Sequence, residues 1–556
     1  MSSQPSTINS QPFQKHFDTL AETPDAVGKL RTLVLELATR GSLVPQEPND
    51  EPASEILRRI EQKQRKKHND TPEALRKEFL LVLPTGWALA RNRTLFTLRK
   101  GKIPKTLFTE NTGLPYLDIA ALEKGLFRRF TDDLNCPQVD ENSLVIVCDG
   151  SRSGLVLEGK RGVLGSTISA IDFTELDKNF LKVLLQAAYE QLNANKKGAA
   201  IPHLDSAALL ESVSAIPPLG EQRRIVAKVE ELLALCDELE ARQTAAREHR
   251  TRLVRSGLDR LTTIKTEPEF RQHATFVLKT FPELTASAED IPTLRKSILT
   301  IAVQGKLVPH DSNDGDARDA IDRAMEKRQR TIQSKNLRRK RLNESDELVC
   351  EQELPPSWCI ERLANLVDPQ NTISYGVLVP GSDVTSGIPF VRVQDLSINN
   401  PATLPNKTIA PEIERPYART RLRGGELLLC VVGATIGRLG VAPFSWSGAN
   451  IARAVARISP IAEVNRDYLL LVLRGSPVQT YFATMSRTLA QPTLNVGAVE
   501  QTPIPLPPLA EQQRIVAKVD ELMRWCDALE ARLTAAQTTA ATLLDATLHQ
   551  ILTDKQ

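Results

Sequence analysis

Two segments of the chain carry apolar residues at alternating spacings of four and three. In the later segment the series is Ile515, Val519, Leu522, Cys526, Leu529, Leu533, Ala536, Ala540 and Leu543. In the earlier segment the series is Ile225, Val229, Leu232, Cys236, Leu239 and Ala246, interrupted at Gln243 and followed by Gly257. Such a heptad seam predicts two amphipathic helices of about 40 residues, each roughly 60 Å long.

The two seams belong to copies of one element. Pro217–Ala245 and Pro507–Ala535 agree at 21 of 29 positions and lie 290 positions apart. Each copy begins with paired prolines followed by an acidic residue, Glu221 or Glu511, which suits the positive end of a helix. An apolar stripe requires a partner, and the simplest one is the other copy, packed antiparallel within the same molecule.

A second, fainter repeat relates Leu30–Pro45 to Leu294–Pro309. Both segments are apolar and periodic, and each contains a glycine near its end, Gly41 or Gly305, which is typical of a helix C-cap. We therefore expect a shorter helix at each of these places.

Short β-rich runs with Gly and Pro punctuation fill the two stretches between the helical repeats. Leu83–Trp87 corresponds to Leu354–Trp358, and Leu144–Gly154 resembles Leu427–Gly437. These patterns predict two mixed α/β domains, called here the first and second modules. The predicted parts are 1–82, an N-terminal helical segment that is half of a split helical repeat; 83–215, the first module; 216–353, a central helical spacer repeat; 354–503, the second module; and 504–556, a C-terminal helical spacer repeat.

This order is a cyclic permutation of a two-fold repeat. The predicted fold is α+β, with the modules joined by long helices in an intramolecular antiparallel coiled coil and related by a pseudo-two-fold axis. Two domains on simple linkers are the alternative, but they leave the seam without a partner. Two related but unequal modules suit duplex DNA, on which dimeric proteins place matched elements about one helical turn apart.

Composition narrows the class of protein. Apolar content of 41% and charged content of 25% are ordinary for a globular protein, and a net charge of +3 decides nothing about nucleic acid. Seven scattered cysteines without a CxxC pair favour reduced thiols over disulfides or a zinc site. Without a long apolar run or a signal peptide, we expect a cytoplasmic protein that does not enter a membrane.

The repeated motifs PPLGEQRRIVAKV and PPLAEQQRIVAKV resemble the specificity (S) subunit of type I restriction-modification systems, over nearly the whole chain. The resemblance implies two target-recognition domains that each read one half of a bipartite, asymmetric DNA site. It implies helices that set the gap and dock two methyltransferase (M) subunits, through which restriction (R) subunits join. S-adenosylmethionine, ATP and Mg would then belong to the partners, and this chain would need no cofactor.

The sequence contains no G-x4-G-K-[ST] phosphate loop and no Asn- or Asp-Pro-Pro-aromatic motif, so we expect a non-catalytic recognition subunit without catalytic residues or metal ligands. The alternative is a self-sufficient Mg-dependent nuclease that uses Asp149, Glu158 and Lys160. A coiled-coil scaffold without a DNA role is a third hypothesis.

DNA contacts are expected from basic and amide side chains, on phosphates for affinity and on base edges for specificity. The candidates in the first module are Arg99, Lys100, Lys102 and Lys105. The candidates in the second module are Tyr375, Arg392, Gln394, Arg419, Arg421 and Arg423.

Overall fold

The computed structural model describes residues 21, 23, 25–64, 70–79, 82–189, 203–264, 266–284, 288–335, 354–486 and 492–553. The chain divides into two compact units. The first unit comprises Met1–Ala246 with Ala536–Gln556, and the second comprises Arg247–Ala535. The unit boundaries fall inside the two predicted spacer helices, so each unit contains one module and parts of both helices.

Four helices define the scaffold. The first and second long helices are Leu219–Thr263 and Leu509–Thr553, each of 45 residues, and the first and second short helices are Ala26–Thr39 and Ile291–Val303. The other α-helices are Ala53–Gln64, Pro72–Glu78, Asn92–Leu95, Ile119–Lys124, Lys178–Ala187, Ser206–Glu211, Glu267–Leu284, Ala317–Ser334, Pro411–Glu414, Arg466–Arg474, Ser476–Met485 and Val496–Glu500. The short 3-10 helices are Ala288–Asp290, Ser312–Asp314, Leu363–Leu366, Val393–Asp395, Arg415–Thr420 and Phe444–Trp446.

The strands lie in the modules. Those of the first module are β1 Ala88–Arg91, β2 Phe96–Lys100, β3 Leu114–Leu117, β4 Phe130–Thr131, β5 Gln138–Val139, β6 Leu144–Val147, β7 Val156–Glu158, β8 Gly162–Leu164, β9 Ile168–Phe173 and β10 Val213–Ile216. Those of the second module are β11 Cys359–Arg362, β12 Ser374–Tyr375, β13 Ile388–Val391, β14 Lys407–Ile409, β15 Leu427–Cys430, β16 Leu439–Val441, β17 Asn450–Ile451, β18 Val455–Ile458 and β19 Pro503–Leu506.

The two modules share a four-stranded sheet of the same order, and their second sheets differ by one strand, because β5 has no counterpart among the described strands of the second module. The first contains sheets of order β2-β9-β6-β7 and β4-β3-β8-β5, and the second contains β12-β18-β15-β16 and β14-β13-β17. In each module one pair is parallel, β3 with β8 and β13 with β17. Every residue of β6 and β15 is buried, which explains why these runs are continuously apolar. The predicted mixture of helices with two related β-containing domains is confirmed.

A two-stranded ribbon connects each module to its long helix. The ribbon is β1 with β10 in the first module and β11 with β19 in the second, and the long helix follows a few residues after its last strand. The indole of Trp87 donates to Glu221 at 3.0 Å, and the indole of Trp358 donates to Glu511 at 3.1 Å. The acidic residue at the start of each long helix therefore also accepts a hydrogen bond from the module.

Each short helix bonds a long helix through an equivalent arginine. In the first unit Arg31 contacts Asp237 at 2.6 Å and Glu240 at 2.7 Å. In the second unit Arg295 contacts Asp527 at 2.5 Å and Glu530 at 2.7 Å. The carboxylates of the two units lie 290 positions apart, so the repeat preserves the contact as well as the sequence.

The seam of each long helix packs on its own module and on a short helix. Ile225 and Val229 belong to a core with Val34 and Ala38 of the first short helix. The expected partner of these positions was the other long helix, and the packing of the first short helix on them is a contact that the seam alone does not predict.

The second long helix follows the same rule. Its buried positions Ile515, Val519 and Cys526 share a core with Ile298 and Leu299 of the second short helix. Leu232, Leu239, Leu522 and Leu529 are partly buried, and Cys236 is buried.

The first long helix is continuous across Gln243 and Gly257. The amide of Gln243 donates to the backbone carbonyl of Ala21 at 2.8 Å, so this polar interruption satisfies a backbone group. A side chain at Gly257 would contact Val277 of the following helix at 3.6 Å, and the Gly257 carbonyl lies 3.1 Å from the His273 ring.

Candidate nucleic-acid interface

The first basic cluster begins at the end of β2, where Arg99 is engaged within the module. Its guanidinium forms two bonds with Asp172, at 2.9 and 3.0 Å, and a third with the carbonyl of Gln138 at 3.1 Å. Bidentate pairing of this kind fixes the side chain. The DNA contact of Arg99 remains a prediction, and its observed role is to join β2 to β9.

Lys100, Lys102 and Lys105 point away from the core. Lys100 is 64% exposed, with its amine 4.0 Å from Asp149, and the other two lysines are exposed. Between them, a side chain on Gly101 would meet the carbonyl oxygen of Gly165 at 2.1 Å, so the backbone passes too close for any other residue. The lysines therefore sit on a segment that is held firmly against the sheet.

Lys100 and Tyr375 occupy equivalent places in the two modules. Lys100 pairs with Ser169 across β2 and β9, and Tyr375 pairs with Ala456 across β12 and β18. A glycine follows each of them, and at Gly376 a side chain would meet the carbonyl of Ile451 at 1.7 Å. Two candidates selected from unrelated local sequences thus lie at the same point of a shared fold.

Tyr375 does not present a free hydroxyl. The hydroxyl donates to the carbonyl of Leu494 at 2.6 Å, and burial raises the pKa of Tyr375. The side chain lines a surface cavity together with Arg419. The structure therefore brings together two residues that the sequence analysis named separately.

Arg392 and Arg421 are tied to acidic neighbours. The guanidinium of Arg392 donates to Asp395 at 3.4 Å. The guanidinium of Arg421 donates two hydrogen bonds to the buried carboxylate of Glu414, at 2.7 and 2.6 Å. Arg421 lowers the pKa of Glu414.

Gln394, Arg419 and Arg423 are exposed, and their side chains have no described hydrogen bond or ion pair. Of the second-module candidates, these are the ones free to meet a ligand, as far as the described residues show. Their DNA contacts stay predictions.

Sequence reasoning missed Arg453 and Arg457, which line the same cavity as Tyr375 and Arg419. Arg457 lies within β18, where it is only 3% exposed. A charged residue inside an apolar strand is costly unless something compensates it, and that was the available signal in the run from Arg453 to Arg457.

The three residues of the nuclease alternative each have a different neighbour. Asp149 lies 2.7 Å from the ring nitrogen of His203, and Glu158 pairs with Lys182 at 2.6 Å. Lys160 lies over the ring of Phe127 at 5.9 Å. No group of three or more His, Cys, Asp or Glu with metal-binding geometry occurs among the residues described, and nothing favours this alternative.

The long helices carry a second repeated surface. Leu235 is 54% exposed and Trp525, 290 positions later, is 71% exposed. Leu253 and Leu543 form another such pair, at 58% and 46%. Large apolar side chains are therefore exposed at matching positions of both long helices.

In the part of the chain that the structure describes, no helix combines the length and the apolar character needed to cross a membrane.

Comparison with known proteins finds one family on both halves of the chain. Residues 84–247 and 386–536 match the type I restriction modification DNA specificity domain. The two matched segments each contain most of a module and the beginning of the long helix that follows it.

Similar proteins come from Escherichia coli. The type I restriction enzyme EcoBI specificity subunit is 27% identical over 396 residues, which cover 71% of this chain and 69% of that protein. The EcoEI specificity subunit is 27% identical over 562 residues, covering 94% of this chain and 93% of that protein. One solved structure comes from a study of complex assembly and conformational transition of the type I R-M system. It aligns over 84% of this chain and 98% of its own length, with 19% identity and a TM-score of 0.49.

Proposed function

Since this chain belongs to the type I restriction-modification DNA specificity family, we propose that its two modules each read one half of a bipartite, asymmetric DNA site. The first module, within 83–215, takes one half, and the second, within 354–503, takes the other. The helical parts at 1–82, 216–353 and 504–556 hold the modules and set the gap between the halves.

One observation supports this proposal above the others: the modules share a four-stranded sheet of the same strand order but have different side chains at equivalent positions. Lys100 in the first module stands where Tyr375 stands in the second. A shared frame with unlike surfaces is what a protein needs to read two unlike half-sites. A scaffold without a DNA role would give the two frames no reason to differ at these places.

The catalytic reactions belong to partner subunits in this proposal. The chain would bind double-stranded DNA and two methyltransferase subunits, and restriction subunits would join through the methyltransferases. S-adenosylmethionine, ATP and Mg would be bound by those partners in the cytoplasm. The matching exposed positions Leu235 and Trp525 support two copies of one partner, because a surface present twice offers two equivalent docking places.

A module exchange tests the proposal. The full chain is co-produced with its methyltransferase subunit, and methylated adenines are mapped strand by strand in host DNA. Residues 354–503 are then replaced by the aligned segment of the EcoEI specificity subunit. We expect one half of the methylated sequence to change while the other half and the gap remain. A change in both halves, or in neither, would contradict the assignment of one module to each half.

A further inference from the structure

The cavity beside β12 and β18 in the second module is unusually rich in cations. Its volume is about 570 Å³, and its lining includes Arg419, Arg453 and Arg457 together with Tyr375 and Tyr417. Asp and Glu are missing from the described residues that line it. Three guanidinium groups on one concave surface without a carboxylate create a site for an anion.

The deepest of these cations is incompletely satisfied. One nitrogen of Arg457 donates to the carbonyl of Arg421 at 2.8 Å, but neither its Nε nor the hydroxyl of Ser374 has a partner among the described residues. Both atoms are buried, and burial lowers the pKa of Arg457. The carboxylates of Glu426 and Asp368 act on this pKa in the opposite direction. Buried donors of this kind cost stability until an acceptor reaches them.

The outer cations are free to reach a ligand. Arg419 and Arg453 are exposed, and their side chains form no hydrogen bond or ion pair with the described residues. At the rim, Lys335 donates to the side-chain oxygen of Gln370 at 2.6 Å, which adds another positive charge.

A phosphate presents acceptors alone, as guanine and thymine do in the major groove, whereas adenine and cytosine also present donors. The polar groups of this cavity suit a ligand that presents acceptors. The cations only donate, the hydroxyl of Tyr375 already donates to Leu494, and the oxygen of Gln370 is already occupied by Lys335. The cavity therefore has more donors than free acceptors, which favours a phosphate or a guanine edge over adenine or cytosine.

Among the residues that the structure describes, the first module places its arginine differently. Arg457 pairs with Ser374, and the equivalent residue of β9, Ala170, pairs with Arg99. Each pair therefore contains one arginine, but on different strands: in the second module it is Arg457 of β18, whereas in the first it is Arg99 of β2, which is bonded to Asp172.

We propose that the cavity lined by Arg419, Arg453 and Arg457 holds a backbone phosphate of DNA, and that the second module has this clamp while the first does not. The inference rests on the proposed function and adds an electrostatic division of labour to it. One half of the site is held more strongly by its backbone than the other.

The test uses the full chain with its methyltransferase subunit and a labelled duplex that carries the site mapped in host DNA. Dissociation constants are measured by fluorescence anisotropy between 50 and 200 mM KCl, a range over which phosphate contacts produce roughly 10³- to 10⁵-fold changes. A set of duplexes with single base-pair changes in the second half-site gives the specificity profile. Arg419→Ala and Arg453→Ala are compared with Arg415→Ala, which removes an exposed arginine of the same 3-10 segment outside the cavity lining.

We expect each cavity variant to weaken binding to all duplexes by the same factor, about tenfold at low salt. The slope of log affinity against log salt should fall by about 0.9 for each arginine, while Arg415→Ala keeps the slope of the unchanged chain. Arg453→Lys should restore the slope, because a lysine also neutralises a phosphate.

Affinities and slopes equal to those of Arg415→Ala would overturn the phosphate clamp. A change of affinity confined to one base-pair position, with an unchanged slope of log affinity against log salt, would also overturn it, since that outcome identifies a base contact. Failure of the proposed function looks different: the unchanged chain would then not distinguish the mapped site from the altered duplexes.

Discussion

Arg421 and Arg423 stand two positions apart and meet opposite surroundings. Arg421 is bonded to Glu414, whose side chain is only 1% exposed and which also accepts the amide of Asn450 at 2.9 Å. The side chain of Arg423 is exposed, and the described bond of this residue is from its backbone nitrogen to Glu426. The same residue type can therefore hold the module or face its ligand, according to its neighbours.

We predict that Arg421→Ala lowers the melting temperature of the chain at pH 7, because it leaves the Glu414 carboxylate buried without its cation. The pKa of Glu414 is lowered in the folded chain, so the contribution of this pair is fully present above the usual glutamate pKa, about 4.3. It is lost as the pH falls through the lowered value, so thermal scans of variant and parent should converge in acid.

Arg423→Ala is the matched comparison. We expect it to leave the melting temperature unchanged and to weaken DNA binding by the complex. An unfolding effect for Arg423→Ala, or none for Arg421→Ala, would show that these roles are wrongly assigned.

Glu221 responds to pH in the opposite sense. It is fully buried at the start of the first long helix, where it accepts the indole of Trp87, and burial raises its pKa. A raised carboxyl pKa stabilises the fold most below the unfolded value, and this contribution is lost as the pH rises through the folded value. Glu221→Gln keeps an acceptor for the indole but cannot ionise.

The melting temperature of Glu221→Gln should therefore gain on that of the parent chain as the pH rises through the raised pKa of Glu221. Scanning fluorimetry at several pH values measures the difference. Glu221→Ala, which removes the acceptor, should lie below the parent throughout. A difference between Glu221→Gln and the parent that is independent of pH would exclude this account.

At the scale of elements, the repeat of Pro217–Ala245 at Pro507–Ala535 led to the most detailed predictions, those of the two long helices. The two 45-residue helices and their acidic starts could be predicted, because a seam at spacings of three and four identifies an amphipathic helix. The face buried near the helix end could not: Leu543 is 46% exposed, whereas Leu544 is 1% exposed. Leu544 begins a second apolar series with Leu548 and Ile551, and its first two members pack with the first short helix. The seam that ends at Leu543 does not show which of the two series is buried.

The exposed pair Leu235 and Trp525 leads to a prediction about assembly. If each side chain docks one methyltransferase subunit, Leu235→Ala and Trp525→Ala should each yield a complex with one such subunit, and the double variant should yield none. Exposed aromatic and aliphatic anchors of this size contribute about 2 kcal/mol or more when buried in an interface.

Mass measurement of co-purified complexes decides the number of subunits. Arg242→Ala is the control, because this exposed arginine of the first long helix pairs only with Glu238 one turn earlier, among the described residues. Two bound subunits in both single variants would exclude these positions as anchors.

At the scale of the molecule, the duplicated plan and the two modules were predictable, but the recognition surface was only partly so. Lys100 and Tyr375 were chosen from local sequence and lie at matched positions. Arg99 was chosen in the same way and is bonded to Asp172, which is distant in sequence and pairs through the sheet. Arg453 and Arg457 were missed because only the fold gathers them around one cavity. Basic residues identify candidates, and pairing across strands decides which of them remain free.

A final prediction concerns the roles of the modules, which read the DNA sequence, and of the long helices, which set the gap between the half-sites. Seven residues inserted into both long helices, after Ala246 and after Ala536, add about 10 Å to each while nearly keeping the helix faces in register. At 3.4 Å per base pair this corresponds to a gap about three base pairs longer. Mapping of methylated adenines should therefore find both half-sites unchanged and farther apart.

Substituting the same seven residues in place, without added length, should leave the gap as it was. Altered half-sites after insertion would mean that the long helices take part in reading the sequence, and an unaltered gap would mean that something other than their length sets the spacing.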